Sequence, residues 1–279
     1  MGDMRAPQVR TIHGRDALYS LFALLICAVV IEGIYALVIR PHAETVLQQR
    51  AMVRRDDANR AILQLRSIYV ILKDYEQQTA ITLGAWALAL LARQAREVAR
   101  GRRLLGKPYF ALGEDRVILP EDTRAYSRPI ESLPPEEQAM FFPRLLTVAL
   151  NRFGATRSVQ DAAEAVRDEC EFEQSTYDAQ LSMVRFTAWA IPAVGFVGTV
   201  RGIGAALQQA QGAVGGDISG VTLGLGVTFN STLTALITCI IVMFCLHQLQ
   251  QAQDKLVLDT RMSVDRSLIR QMRVSQRPG

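Results

Sequence analysis

The polar side chains that could do chemistry in this 279-residue sequence lie inside two stretches with few or no charges. Thr199 stands in one of them, and the other carries Thr228, Asn230, Ser231 and Thr232. Hydroxyl and amide groups in an apolar segment can line a water- or ion-accessible path through a membrane. They can equally hydrogen-bond to their own backbone or to a neighbouring helix. Composition alone leaves these two interpretations open.

The residue patterns of enzymes, metal sites and nucleic-acid binders are missing. The three histidines are far apart, and no His, Cys, Asp and Glu residues have metal-ligand spacing. The glycine pairs in 202–204 and 224–226 lack the third glycine of a dinucleotide fingerprint. The densest basic group, in 93–107, follows an apolar segment directly, as cytoplasmic anchors of membrane proteins do. We therefore expect no enzyme, no bound cofactor or metal, and no nucleic-acid partner.

Three apolar stretches, residues 17–39, 186–207 and 218–246, are long enough to cross a hydrocarbon core of ~30 Å. A fourth candidate, 75–92, is shorter, but it holds Trp86 near its middle and is followed at once by the basic group. These stretches predict an all-α membrane protein with four transmembrane helices. A three-span alternative fits the positive-inside tendency better, since it leaves the basic 40–74 loop on the cytoplasmic side.

The four-span reading places both termini in the cytoplasm. The predicted order is a cytoplasmic N-terminus (1–16), a first span (17–39), an extramembrane loop (40–74), a short second span (75–92), a cytoplasmic helical region (93–185), a third span (186–207), a periplasmic turn (208–217), a fourth span (218–246) and a cytoplasmic helical tail (247–279).

The region 93–185 is predicted to be helical, but only its second part is predicted to form one long helix. Five prolines in 120–143 exclude one long helix in its first part. Ser158 and Asp161 then have the spacing of a capping box. Apolar residues recur after it at helical spacing, at Val159, Ala163, Val166, Cys170, Tyr177, Leu181 and Val184. We expect one long helix to continue from this region into the third span.

Two charges, Glu32 and Arg201, interrupt predicted spans. With four spans, each lies roughly 22 Å from the cytoplasmic side at 1.5 Å per residue. A charge inside the membrane needs a partner, so we expect an intramembrane pair. Glu32 has an alternative role as a proton relay.

Small residues in the third and fourth spans predict close helix packing. Gly195, Thr199, Gly202 and Ala206 form one stripe on the third span. Gly198 and Gly202 have the spacing that lets two helices approach closely, and so do Gly220 and Gly224 on the fourth span.

Residues 192–203 read PAVGFVGTVRGI, and residues 226–236 read GVTFNSTLTAL. These segments resemble two spans of the MotA/TolQ/ExbB ion-channel family. Arg201 stands where energiser subunits of that family often have Trp, and Asn230 stands where divergent members often have an acid.

The resemblance implies a homo-pentameric ring in the bacterial cytoplasmic (inner) membrane, built around two copies of a single-span partner that carries an Asp. It implies transport of H⁺ or Na⁺, with Thr199 and Thr228 supplying hydroxyls to the path, and coupling of the ion gradient to mechanical work. The alternative from another class is an oligomeric membrane scaffold that conducts nothing.

Overall fold

A computed structural model of the chain describes residues 12–53, 68–106, 117–210 and 219–273. Within these ranges every regular element is helical, which confirms the all-α fold. In chain order the elements are α1 (Ile12–Ile34), a π-helical turn (Tyr35–Ile39), α2 (Arg40–Val53), α3 (Ile68–Leu72), α4 (Tyr75–Leu105), α5 (Thr123–Glu131), α6 (Pro135–Gln138), α7 (Phe141–Thr156), α8 (Val159–Gln208), α9 (Ser219–Ser267) and a 3-10 turn (Ile269–Gln271).

Three helical segments of the described ranges are long and apolar enough to cross a membrane, namely Leu18–Val46, Val159–Gln208 and Gly220–Gln271. They contain most of the first predicted span, all of the third and nearly all of the fourth. Helix α4, which holds the predicted second span 75–92, is not among them. Its apolar part is short because Glu76 precedes it and Arg93 follows it. The four-span count is therefore not confirmed, whereas the all-helical fold is, with three candidate membrane spans in the described residues.

The first helix continues beyond Ile39, where the sequence predicted the start of a loop. The Arg40 N–H donates to the Tyr35 carbonyl, which closes a π-helical turn, and α2 then runs to Val53. Pro41 has no N–H and crowds the preceding turn, and a wider turn in front of it makes room for its ring. Most of the rest of that predicted loop, residues 54–67, lies outside the described residues.

The chain divides into two compact units. The first comprises residues 1–91 and 184–245, and the second comprises residues 92–183 and 246–279. The boundaries fall next to the predicted ends of the second, third and fourth spans. The Gly-rich part of the predicted 208–217 turn lies outside the described residues.

The second unit has its own hydrophobic core, formed by α5, α7, the beginning of α8 and the end of α9. Leu145, Leu146 and Leu150 of α7 are fully buried in it. The prolines divide the 120–143 stretch into short helices, as predicted, with Pro135 at the first position of α6. An isolated bridge between Ile118 and Met272 joins the beginning and end of the unit.

The long helix α8 begins as predicted. The Ser158 hydroxyl oxygen accepts the Asp161 N–H at 3.2 Å and donates to the Asp161 carboxylate at 2.9 Å, so the helix starts on a capped turn. The helix then continues through Pro192 to Gln208 without a break. One residue of the predicted apolar stripe is corrected, because Ala162 is fully buried and Ala163 is exposed.

Candidate functional site: a polar layer among apolar helices

Helices α8 and α9 pack closely in the first unit because glycines line their contact. A methyl group on Gly195 would lie 2.6 Å from the Ala235 Cβ, and one on Gly198 would lie 2.6 Å from the Ser231 Oγ. Both distances are shorter than real side-chain contacts allow. The predicted packing role of these two glycines therefore agrees with their surroundings.

The same contact continues one turn further along both helices. A methyl group on Gly202 would meet Thr228, including its backbone N at 2.8 Å. One on Gly224 would lie 2.7 Å from the backbone N of Ala206. At the end of this contact Gly220 lies directly against the side chain of Gln209. The small residues thus let the two backbones approach each other, as small residues do in membrane helix pairs.

Hydroxyl groups lie along this glycine contact. The Thr199 Oγ1 and Thr232 Oγ1 atoms are 2.6 Å apart, and the Thr199 hydroxyl also lies 3.2 Å from the Gly195 carbonyl. Thr228 is buried and donates to the Gly224 carbonyl at 3.1 Å. Ser231 is fully buried and donates to the Val227 carbonyl at 2.8 Å. These four hydroxyl residues therefore lie along one helix contact, in which Thr199 and Thr232 bond to each other.

Asn230 lies on α9 beside this hydroxyl group and is half-buried. It is the next residue before Ser231, so the two side chains leave the helix about 100° apart.

The structure corrects the predicted pair of Glu32 and Arg201. Arg201 instead holds Glu76, with its Nε 2.6 Å from Oε1 and its Nη2 2.7 Å from Oε2. Such a two-pronged contact is the strong form of an Arg–carboxylate pair. Depth along a helix was the basis of the prediction, and it carries no information about which side of the helix a residue faces. Glu76 and Arg201 face each other across α4 and α8.

Glu32 has partners on its own helical segment and on α4. Arg40 donates to its Oε1 at 3.1 Å, and the Gln78 amide donates to its other oxygen. Arg40 also donates to Gln78 Oε1 at 2.8 Å and lies over the ring of Tyr75. The π-helical turn between Glu32 and Arg40 alters the usual angle between their side chains, which lets them meet.

These contacts place polar side chains of four helical segments near one another, and we call them the polar layer. Its members are Glu32, Arg40, Glu76, Gln78, Thr199, Arg201, Thr228, Ser231 and Thr232.

Gly198 lies between the charged side chain of Glu76 and the hydroxyl residue Ser231. A methyl group there would lie 2.5 Å from the Ser231 Cβ and 3.1 Å from the Glu76 Cγ. The beginning of α4 is therefore at the same level as the hydroxyl groups. The sequence interpretation missed this role of residues 76–78, although a run of polar residues at the head of an apolar helix was a visible signal.

A layer of this kind can hydrogen-bond water or a small cation within an otherwise apolar unit. Within the described ranges, no three His, Cys, Asp or Glu side chains gather as a metal site would require. Three apolar helical segments and a polar layer among them define a helical membrane protein with an internal polar site.

In a comparison with known protein families, residues 138–262 match the MotA/TolQ/ExbB proton channel family. The match confirms the family predicted from the two span motifs, and it is a channel family rather than an enzyme family. It covers α7, α8 and most of α9, including all the predicted hydroxyl residues. No curated protein and no solved structure matches the chain.

Proposed function

We propose that this protein is the ring-forming subunit of a proton channel that drives a membrane motor or energiser. The observation that carries the proposal is the position of the family match. Residues 138–262 include Thr199, Thr228 and Thr232, which lie together in the glycine-lined contact of α8 and α9. The protein would convert the ion gradient across the bacterial inner membrane into mechanical work.

The charges of the first unit support a division of labour with a partner subunit. The two acids of the polar layer, Glu32 and Glu76, are each held by an arginine. A carboxylate that takes up and releases protons must be free of such a strong partner. We propose that a single-span partner supplies this carboxylate as an Asp, with two copies inside a ring of five copies of this chain.

The same proposal assigns the topology. The first unit lies in the membrane, with α4 crossing as a fourth span, and both termini and the second unit lie in the cytoplasm. Trp86 supports the place of α4 among the spans, because its indole N–H donates to the Ser20 carbonyl of α1 at 2.9 Å. Exposed apolar side chains on α8 and α9, such as Phe196, Val200 and Phe229, would face lipid or neighbouring subunits.

Valine substitutions test the ion path, since valine keeps the shape of threonine and removes the hydroxyl. We expect Thr199→Val and Thr228→Val to assemble normally and to lose ion flux in vesicles that also contain the partner. Thr238→Val is the matched control, because its hydroxyl donates to the Thr234 carbonyl of the same helix and lies two turns after Ser231. Full flux in both Thr199→Val and Thr228→Val would refute the assigned path.

A non-conducting membrane scaffold is the second candidate, and one observation favours it. The hydroxyls of Thr199, Thr228 and Ser231 each reach a backbone carbonyl four residues earlier, so each is satisfied within one subunit. A scaffold would tolerate Thr199→Val and Thr228→Val as well as the control Thr238→Val. It would show no ion flux in the unmodified protein.

A further inference from the structure

Four buried polar atoms near the start of α4 have no hydrogen-bond partner. They are the Gln77 Nε2 and Oε1, the Tyr35 Oη and the Asp74 Oδ2. Gln77 is 0% exposed and Tyr35 is 1% exposed. Leaving such groups unpaired in an apolar environment is costly.

These three side chains are neighbours. The Asp74 carboxylate interacts with the Gln77 side chain and with Tyr35. Leu72 and Ile81, which flank Asp74 and Gln77 in the sequence, pack against the cluster that contains Tyr35. The three side chains thus form one polar cluster between the π-helical turn and the start of α4, which we call the pocket.

The pocket borders the polar layer. Gln77 follows Glu76, which lies beside Gly198 and Ser231. Seven residues further along both helices, Gly84 of α4 touches Thr238 of α9. Gln77 therefore lies on the face of α4 that packs against α9, close to the level of Ser231.

The charges around the pocket largely cancel. Glu76 neutralises Arg201, and Glu32 neutralises Arg40. The carboxylate of Asp74 then remains with one further neighbouring charge, that of Lys73. A carboxylate, an amide oxygen and a phenol oxygen are hard donors that suit a small cation and its water.

We propose that Asp74, Gln77 and Tyr35 form a hydrated binding site for a small monovalent cation, either Na⁺ or hydronium, which feeds the hydroxyls of the polar layer. The site deepens the proposed channel function and rests on it for its role. Lys73 weakens the site by its charge and keeps the bound ion exchangeable. The binding itself is a property of this chain alone and can be measured without the partner.

Cysteine accessibility tests whether the pocket admits water and cations. In full-length protein whose four native cysteines are replaced by alanine, Gln77→Cys is treated with a cationic or an anionic thiosulfonate reagent. We expect the cationic reagent to react roughly tenfold faster, as electrostatic focusing predicts. Ala80→Cys is the matched control, because Ala80 is equally buried one turn further along α4. Gln77→Cys that is as unreactive as Ala80→Cys toward both reagents would overturn the proposal.

Thermal unfolding of the purified chain tests the cation. If the site takes Na⁺, replacing choline by Na⁺ at constant ionic strength should raise the unfolding temperature, and Asp74→Asn should abolish the rise. If it takes hydronium, the unfolding temperature should be insensitive to Na⁺, while its pH dependence should change in Asp74→Asn. Lys73→Met should strengthen either response. A chain in which Asp74→Asn changes neither response would overturn the proposal.

A second variant separates binding from packing. If Gln77 is merely an unpaired amide, Gln77→Met should raise the unfolding temperature and leave the response to cations unchanged. If Gln77 is a ligand, the cation response should fall in that variant. Loss of flux in the valine variants of Thr199 and Thr228 concerns the path and is independent of this binding. A chain that binds a cation here and conducts nothing would uphold this site and refute the proposed function.

Discussion

Replacing Gly202 by alanine should destabilise the protein strongly, although alanine is the better helix former. The added methyl group would lie 2.8 Å from the Thr228 N and 2.9 Å from the Gly224 carbonyl oxygen. Both are backbone atoms, so they cannot rotate away, and the two helices must separate. Overpacking of this kind costs about 3 kcal/mol at the upper end, and the better helix propensity of alanine returns about 1 kcal/mol.

The expected net loss for Gly202→Ala is therefore about 2 kcal/mol, or roughly a 30-fold fall in the folded-to-unfolded ratio. Gly204→Ala provides the control on the same helix, since nothing in the described structure lies within 4 Å of its added methyl group. That variant should gain up to about 1 kcal/mol from helix propensity alone. The two variants should thus differ by about 3 kcal/mol in the free energy of unfolding.

Reversible unfolding in mixed detergent micelles, followed by tryptophan fluorescence, measures this difference. Trp86 and Trp189 both lie in the first unit and report on its unfolding. Equal stability of Gly202→Ala and Gly204→Ala would refute the close backbone contact of α8 and α9. Greater stability of Gly202→Ala would refute it more directly, because helix propensity would then be the only effect present.

Three other predictions concern the ion pairs and the buried thiol. Glu76→Gln and Arg201→Gln should each lower the unfolding temperature, and the double variant should lose less than their sum; strict additivity would contradict the pair. Arg144→Met should lower the free energy of unfolding by about 2 kcal/mol, because it leaves Glu173, which is 8% exposed, without its cation. Arg144→Lys keeps a cation there and should lower it less. Equal losses in the two variants would contradict this ion pair. Burial raises the pKa of the Cys170 thiol from 9.0 to about 11, so its labelling should be negligible at pH 9 and rise toward pH 11. The neutral Cys170 thiol makes its whole contribution to the free energy of unfolding below pH 9, and this contribution is lost as the pH rises through 11. Cys170→Ala should therefore make the free energy of unfolding less dependent on pH between 9 and 11.

Local patterns predicted the helices well. The Ser158–Asp161 box gave the start of α8 because a cap depends only on residues a few positions apart. The glycine stripe gave the contact with α9 because residues three and four apart share one helix face. The helical segment that begins with α1 continues past Arg40 to Val53, because the fall in hydropathy at Arg40 ends the apolar stretch but not the helix.

The partners of the charges could not be predicted in the same way. Depth along a helix follows from counting residues, and so Glu32 and Arg201 looked like a pair. Which helices are neighbours, and which faces they present, depends on the packing of the whole unit. Glu76, at the beginning of the predicted second span, is the residue that binds Arg201, beside Gly198.

The burial of Gln77 escaped the sequence interpretation for a related reason. A glutamine at the start of a helix usually faces water. Its complete burial becomes visible only when α4 packs against α9, as the contact of Gly84 with Thr238 shows.

The native mass of the detergent-purified complex tests the central claim most directly. The protein is expressed alone and then together with a single-span, Asp-bearing membrane protein encoded beside it. The proposed function predicts a ring of five copies that binds two copies of that neighbour. A monomer, a dimer, or a ring that binds no such neighbour would contradict it.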